Sequence, residues 1–437
     1  VFIALILAIG TYQRNKIWQN DLTLWKDCVK KSPNKARTHA SVGYAYFMRG
    51  MMDEAIEETK KALTIDPDNP KTHNNLGCIY QEINRVDESI VEFKKAIHLY
   101  PYYAAARSNL ASSYIRKGMI DEAIEETKKA LTIDPDNPKT HNNLGYAYAE
   151  KGMEDEAIAE FLAATELSPL YANTYYNLGK SYNKKGMLDD AIAAYQKAVN
   201  LDPAHGKAYE GLGSTYLKKG LQKHAIIQFK KTLDINPDNS NLHYILGNLY
   251  NKEGMIKEAI AQFKNALRMD PDNLGYRYTL ATIYYNERML NEAETLYKEV
   301  LKYNPENATL HYKLGNIYKT GGYLDRAEAE FKKALTYKPE FGNALNELGI
   351  VYTKMKKYEM AISILKKKIE LYPNIVDAYY NIACIYAIQN RGDRAVIWLK
   401  KAVLKGFKDW EILSKDRDLQ NIRESSYYKK LMSKHYE

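Results

Sequence analysis

The chain has 437 residues, of which 27% are charged, and its formal net charge is +9. This mild positive balance is compatible with an acidic partner but falls short of the charge density typical of nucleic-acid-binding proteins. Cys28, Cys78 and Cys384 lie far apart and form no CxxC pair, which argues against a disulfide framework or a cysteine zinc site.

The chain opens with the apolar stretch VFIALILAIG and then turns basic and aromatic in TYQRNKIW. This apolar stretch is too short to span a bilayer, which needs about 20 such residues. We therefore expect residues 1–17 to be the end of a longer transmembrane helix that tethers the protein to a membrane. Arg14 and Lys16 beside the apolar end favour a cytoplasmic location for the residues that follow.

Most of the chain repeats with a period of 34 residues. A tyrosine marks each of eleven periods: Tyr46, Tyr80, Tyr114, Tyr148, Tyr182, Tyr216, Tyr250, Tyr284, Tyr318, Tyr352 and Tyr386. A small residue and a proline recur at fixed distances from it. Residues 18–35 match the second half of one period, because Trp25, Cys28 and Pro33 occupy its aromatic, small and proline positions. We expect a half-repeat helix there and eleven repeats over residues 36–409.

Each period predicts two helices. The first ends at a glycine such as Gly118, Gly152, Gly186, Gly220 or Gly254, which accepts the left-handed conformation that stops a helix. The second begins on acidic residues, as in DEAIEETKKAL, and ends before DPDNP, where proline cannot continue it. The small residue permits close helix packing, and an aromatic residue fills the gap between neighbouring units.

This pattern closely resembles the tetratricopeptide repeat (TPR). The resemblance implies an all-α fold, a right-handed superhelical solenoid of helix-turn-helix hairpins. The repeats begin at Ala36, Pro70, Ala104, Pro138, Ala172, Gly206, Ser240, Leu274, Ala308, Gly342 and Val376, each counted here as position 1. The sequence departs from the pattern at Thr59 and Thr127, where an aromatic is usual, and at Lys368, where alanine is usual.

Residues 410–437 fit no further repeat and resemble the closing segment of many bacterial TPR proteins. An apolar side is formed by Trp410, Leu413, Leu419, Ile422 and Leu431. We expect capping helices here that shield the last core face from water. A tail that docks onto a partner is the alternative.

The junction before the repeats resembles that of a membrane family. Its matching residues are Arg14-Asn15, Trp18, Leu24-Trp25 and Ser32-Pro33. Polytopic glycosyltransferase-like proteins related to the protein O-mannosyltransferases have such a junction between their last transmembrane helix and a C-terminal TPR array. The resemblance implies that catalytic residues would lie in a membrane half outside this sequence, and it favours an extracytoplasmic location, periplasm or lumen.

No motif indicates catalysis, a cofactor or a metal site in this chain. Five histidines occupy position 4 of their repeats: His39, His73, His141, His243 and His311. Equivalent positions in stacked repeats lie about 10 Å apart, too far for one metal ion, whose ligand bonds are near 2 Å. We interpret these histidines as structural.

The resemblance implies that positions 2, 5, 6, 9, 12 and 13 of the first helices line a concave groove. Basic residues outnumber acidic ones at these positions, which would steer an acidic ligand. At position 6 an asparagine row can bond an extended backbone, like the asparagine ladder of the TPR superhelix in O-linked N-acetylglucosamine transferases. The candidate groove residues are Asn75, Asn109, Asn143, Asn177, Arg116, Lys180, Lys184, Lys218, Lys252, Tyr244, Tyr278 and Tyr312.

We therefore predict a non-catalytic, membrane-tethered scaffold that binds extended protein or peptide segments, acidic ones among them, and neither nucleic acid nor a small-molecule substrate. One alternative is the substrate-recruiting region of a membrane glycosyltransferase of the O-mannosyltransferase type. Another is a self-assembling structural array. A TPR fold hosts many functions, so the fold alone does not identify the partner.

Overall fold

The computed structural model describes residue 18 and residues 20–436. Every regular element in this part is helical, and consecutive helices form hairpins, which confirms the predicted all-α fold class. The expected end of a transmembrane helix, residues 1–17, lies outside the described residues. Among the helices that are described, none combines the length and apolar character needed to cross a membrane. The chain divides into two compact units, Val1–Asp238 and Asn239–Glu437.

The first unit contains α1 (Asp21–Lys31) and repeats 1–6. The first helices of these repeats are α2 (Ala36–Phe47), α4 (Pro70–Glu82), α6 (Ala104–Lys117), α8 (Pro138–Lys151), α10 (Ala172–Lys184) and α12 (Gly206–Lys218). The second helices are α3 (Met52–Ile65), α5 (Val86–Leu99), α7 (Ile120–Ile133), α9 (Glu154–Leu167), α11 (Leu188–Leu201) and α13 (Gln222–Ile235).

The second unit contains repeats 7–11 and the C-terminal segment. Its first helices are α14 (Ser240–Lys252), α16 (Leu274–Asn286), α18 (Ala308–Thr320), α20 (Gly342–Lys354) and α22 (Val376–Ile388). The second helices are α15 (Ile256–Met269), α17 (Leu290–Tyr303), α19 (Leu324–Tyr337), α21 (Tyr358–Leu371) and α23 (Gly392–Leu404). After them come α24 (Trp410–Lys415), the 3-10 helix Arg417–Ile422 and α25 (Ser426–Tyr436).

Glycine ends most of the first helices in the predicted left-handed conformation. Gly118, Gly152, Gly186, Gly220 and Gly254 have φ between 74° and 83°. The same position in other repeats is held by residues with a side chain: Asn84, Arg288, Lys356 and Asn390, with φ between 58° and 61°. Arginine and lysine pay a steric cost in this conformation that glycine does not. The repeat therefore imposes the turn even where its sequence does not favour it.

A glycine–aromatic contact sets the spacing between the two helices of many hairpins. Phe93 in α5 is fully buried against Gly77 in α4, and a Cβ added at Gly77 would lie 2.6 Å from the phenyl ring. Phe331 and Gly315 repeat this contact in the second unit, also at 2.6 Å. The aromatic residue, which was predicted to fill the gap between neighbouring repeats, therefore packs against the glycine of its own repeat.

The unusual Thr127 and Lys368 are both accommodated in the core. Thr127 is fully buried, and its hydroxyl donates to the Ala123 carbonyl of its own helix at 2.6 Å. Lys368 is only 4% exposed, and its ammonium binds the Asp377 carboxylate at 2.7 Å. A buried charge is stable only when it is paired, so Asp377 permits lysine where alanine is usual.

The C-terminal segment covers the end of the last repeat. Leu413, Leu419 and Ile422 are buried, and the 3-10 helix packs against α22. Asn421 donates to the Ala387 carbonyl of α22 at 3.1 Å. The segment thus shields apolar surface that a twelfth repeat would otherwise have to cover.

Candidate interaction surface

The candidate groove positions lie on the first helices of consecutive repeats, which contact one another in sequence within the first unit. We call the side that carries positions 2, 5, 6, 9, 12 and 13 the first-helix face. In the first unit, positions 2 and 13 are exposed, as in Lys71, Lys139, Arg116 and Lys218, whereas positions 5 and 6 are partly or fully buried except at Glu210. A ligand on this face would therefore meet charged edges and a recessed polar floor.

The asparagine row joins neighbouring repeats. The Nδ2 of Asn109 donates to the Asn74 side chain at 3.0 Å, and Asn177 makes the same bond to Asn142 at 3.1 Å. Asn143 donates to the Ser108 carbonyl at 3.3 Å, while Asn75 is partly buried at the same position. The Nδ2 of Asn109 also contacts the Cys78 thiol at 3.5 Å, and that of Asn143 also contacts the Ser108 hydroxyl at 3.3 Å. These amides therefore hold the floor in place and offer a ligand only their remaining groups.

Several basic residues of the face also reach back to the preceding repeat. Arg116 donates to the Gln81 carbonyl at 2.7 Å, and Lys184 binds the Glu154 carboxylate at 2.9 Å. Lys218 donates to the Asn183 side chain. Lys180 lies 3.7 Å from the Glu150 carboxylate, and Lys252 is exposed. Of these contacts, the exposed pair of Lys180 and Glu150 contributes little, about 0–1 kcal/mol, so a ligand can compete for Lys180.

The three candidate tyrosines, all at position 5 of repeats in the second unit, are half-buried by their packing on other aromatic rings. Tyr244 stacks on Tyr276 with ring centroids 4.9 Å apart. Tyr312 lies 5.0 Å from Phe341, and Tyr278 lies 5.9 Å from Tyr297. They therefore present edges and hydroxyl groups to a ligand more than the flat area that the sequence suggests.

Lys313, a position-6 residue outside the candidate groove residues predicted from the sequence, lies among these tyrosines. Its Nζ lies 6.0, 5.4 and 5.7 Å from the ring centroids of Tyr278, Tyr285 and Tyr297. Burial lowers the pKa of Lys313. One feature of the sequence could have identified this residue. In the tyrosine-rich repeats, a lysine stands at position 6, where other repeats have asparagine.

The position-4 histidines join helices. His73 lies 2.5 Å from the Glu92 carboxylate in α5 and 2.9 Å from the Pro67 carbonyl before α4. His39, His141 and His311 make the same two contacts with the corresponding residues of their repeats. Both ring nitrogens are therefore occupied by the fold. Within residue 18 and residues 20–436, no group of three or more His, Cys, Asp or Glu side chains could hold a metal ion.

A cavity of about 200 Å³ is lined by repeats 10 and 11 and by the C-terminal segment. At its wall, Tyr380 donates to the Asp416 carboxylate at 2.6 Å, and the Cys384 thiol lies 3.6 Å from the same carboxylate. Burial, reinforced by Asp416, raises the pKa of Cys384 well above its ordinary value. The thiol is therefore held protonated, which opposes a nucleophilic role because the thiolate is the reactive form.

Family models match most of the repeat region. The model described as the Cilia and flagella-associated protein 70 C-terminal domain matches residues 101–309. A TPR repeat model matches residues 43–84. A tetratricopeptide repeat model matches residues 70–103, 308–341, 342–375 and 376–404. A comparison with curated proteins found no match.

Solved structures similar to this chain are also repeat proteins. MamA is 30% identical, with 37% of this chain and 95% of that chain covered and a TM-score of 0.34. YrrB, described as a TPR protein with an unusual peptide-binding site, is 24% identical, with 42% and 95% covered and a TM-score of 0.35. Yeast Tom70 is 18% identical, with 91% and 99% covered and a TM-score of 0.34. These matches do not show the predicted link to O-mannosyltransferase-like proteins. The repeat models and the hairpins they cover show that the chain belongs to the tetratricopeptide-repeat family.

Proposed function

We propose that this chain is a non-catalytic scaffold that binds extended segments of a protein partner along the first-helix face. One observation carries the proposal: the side chains of this face bond from one first helix to the next. Asn109 to Asn74, and Arg116 to Gln81, are two such bonds within repeats 2 and 3. A surface held in place before binding loses less conformational entropy when a ligand arrives.

The chemistry of the face suits a peptide backbone with acidic side chains. The partly buried amide of Asn177 keeps an oxygen acceptor and a second N–H for peptide groups, and that of Asn143 keeps its oxygen acceptor. Exposed lysines at position 2, Lys71, Lys139 and Lys207, line one edge and would raise the association rate of an acidic segment. The partner is therefore a flexible, acidic region of a protein, to which the face is complementary in charge.

The test begins with a display selection of random 12-residue segments against the full chain. Reversing the charge along the first-helix face, with Lys71→Glu, Lys139→Glu and Lys207→Glu together, should weaken a selected acidic segment at least tenfold. The matched control reverses three exposed lysines of the second helices in the same unit, Lys60→Glu, Lys128→Glu and Lys230→Glu. Equal loss in both variants, or failure to select any segment, overturns the proposal.

A membrane tether through residues 1–17 and an extracytoplasmic repeat region belong to the same proposal. The apolar N-terminal stretch supports the tether, and the N-terminal resemblance supports the extracytoplasmic location. The scaffold would then hold segments beside a membrane, where it could present them to a glycosyltransferase half of O-mannosyltransferase type. Cells that express the protein allow a direct check. Protease added outside intact cells or spheroplasts should cleave the repeats, and protection of the repeats would instead place them in the cytoplasm.

A further inference from the structure

Lys313 in α18 is a partly buried cation in the first-helix face of the second unit. Its ammonium is surrounded by three tyrosine rings: Tyr278 and Tyr285 from α16, and Tyr297 from α17. Tyr297 is fully buried, and the other two rings are partly buried. The pocket is therefore built by three consecutive helices and has a rigid aromatic wall.

No carboxylate among the described residues forms an ion pair with Lys313. The nearby carboxylate of Glu347, at the same position of the next repeat, is already bound by Lys319. The side chains of Lys313, Lys319 and Glu347 together carry one positive charge in excess. This contrasts with Lys184, which occupies the corresponding face of the first unit and binds Glu154.

A desolvated ammonium attracts a negative oxygen more strongly than an exposed one does. The tyrosine rings compensate part of the lost hydration through cation–π attraction, but they leave N–H groups that can donate to an anion. A carboxylate would form a charge-assisted hydrogen bond with Lys313 and neutralise the single excess charge. A phosphate dianion would instead leave a negative charge uncompensated in a half-buried pocket.

We propose that Lys313, within the pocket of Tyr278, Tyr285 and Tyr297, anchors a side-chain carboxylate of the bound protein segment. This inference rests on the proposed function. A side chain rather than a chain terminus is the expected source, because the repeats on both sides, 8 and 10, continue the first-helix face without a stop. Lys313 is then a determinant of specificity for Asp or Glu at one place in the segment.

The test uses the full chain and a fluorescein-labelled hexaglutamate with an amidated C-terminus, measured by fluorescence polarisation. Lys313→Gln should weaken binding at least tenfold, while Lys313→Arg, which keeps the charge and the stacking on tyrosine, should stay within threefold. Lys302→Gln is the matched control, since Lys302 is an exposed lysine of α17; its binding should remain within twofold. Circular dichroism checks that each variant keeps its helical content.

Two further probes identify the ligand group. Hexaglutamine amide should bind at least tenfold more weakly than hexaglutamate, and hexaglycine with a free C-terminal carboxylate should not depend on Lys313. Trace acetylation followed by mass spectrometry should show that hexaglutamate protects Lys313 but not Lys302. Equal protection of both lysines, or a binding loss shared by Lys313→Gln and Lys302→Gln, overturns the anchor.

Failure of this inference is distinguishable from failure of the scaffold. If segments from the display selection bind the unaltered chain and Lys313→Gln equally well, and hexaglutamate does too, then the scaffold remains and the anchor is wrong. The anchor is also wrong if hexaglutamate does not bind the unaltered chain. If no segment of any composition binds, the proposed function fails as well.

Discussion

Arg107 binds Glu126 across the third hairpin, with its Nη1 2.6 Å from the carboxylate oxygen. Its guanidinium also donates to the Pro101 carbonyl that precedes α6, through Nε at 3.1 Å. This arrangement reproduces with arginine what His73 achieves with Glu92 and the Pro67 carbonyl in the second repeat. At position 4 of these two repeats, histidine and arginine therefore both connect the second helix to the preceding loop.

Replacing His73 with arginine should therefore be tolerated, whereas alanine should not. His73→Ala leaves the largely buried Glu92 without this partner and the Pro67 carbonyl without its hydrogen bond, at a cost of about 1–3 kcal/mol. His73→Arg should cost less than about 1 kcal/mol because it copies the bonds of Arg107. Urea unfolding followed by circular dichroism compares the two, with Arg107→His as the reciprocal control. Equal losses for alanine and arginine would contradict this role of position 4.

Gly77→Ala should destabilise the second hairpin, because the new Cβ would lie 2.6 Å from the Phe93 ring. Overpacking of this kind costs about 1–3 kcal/mol. Gly206→Ala is the control, since its Cβ would meet only Ile235, at an ordinary distance of 3.5 Å. That variant should be neutral or slightly stabilising through loss of glycine flexibility in the unfolded chain. Thermal unfolding of both variants measures these changes in stability. A Gly77→Ala variant as stable as the unaltered chain would show that the phenyl ring can move aside.

Lys356→Gly should stabilise the tenth repeat by about 1 kcal/mol, because Lys356 holds φ at 60°, where a side chain is strained. The gain is reduced by the greater flexibility of glycine in the unfolded state. Gly186→Ala places a side chain at the same turn, with φ of 78°, and should destabilise by a similar amount. Both are measured as shifts in the urea midpoint. A loss of stability in Lys356→Gly would mean that its side chain contributes more than its backbone strain costs.

Glu328 should make stability fall as the solution becomes acidic. Its burial alone would raise its pKa, but hydrogen bonds from Lys332 at 2.6 Å and Lys357 at 2.8 Å lower it overall. A lowered carboxyl pKa stabilises the fold above the ordinary pKa of about 4.5, and this stabilisation is lost as pH falls through the lowered value. Glu328→Gln should therefore lose stability at pH 7, by about 1 kcal/mol, and approach the unaltered chain near pH 2. A difference that stays constant with pH would contradict the ion pairs.

The repeat signals in the sequence were sufficient for the fold class, because each is local. Gly118 and Gly152 end helices through their own backbone conformation, and Pro70 and Pro138 begin helices at their first residue. The aromatic position was also identified, although Phe93 packs first on Gly77 of the same hairpin. Such patterns need no knowledge of distant residues, and eleven copies of them leave little ambiguity.

The candidate site could be predicted only in part from the sequence. The sequence identified the asparagine row, but hydrogen bonds between residues 35 positions apart, as from Asn109 to Asn74, become visible only when repeats are stacked. The same applies to Arg116, whose guanidinium is engaged by the Gln81 carbonyl of the preceding repeat. The residue type indicates which hydrogen bonds a side chain can make. The neighbouring repeat determines which of its donors and acceptors are already bonded within the fold.

The sequence by itself determined the repeat, its period and the helical hairpin, since these follow from local conformational preference and apolar spacing. Only the tertiary structure determined which charged side chains lie beside a group of opposite charge. Lys184 and Lys313 are both lysines on the first-helix face, yet one meets Glu154 and the other meets three tyrosine rings. Coulomb energy depends on distance and burial, which residues far apart in sequence establish only when the helices pack.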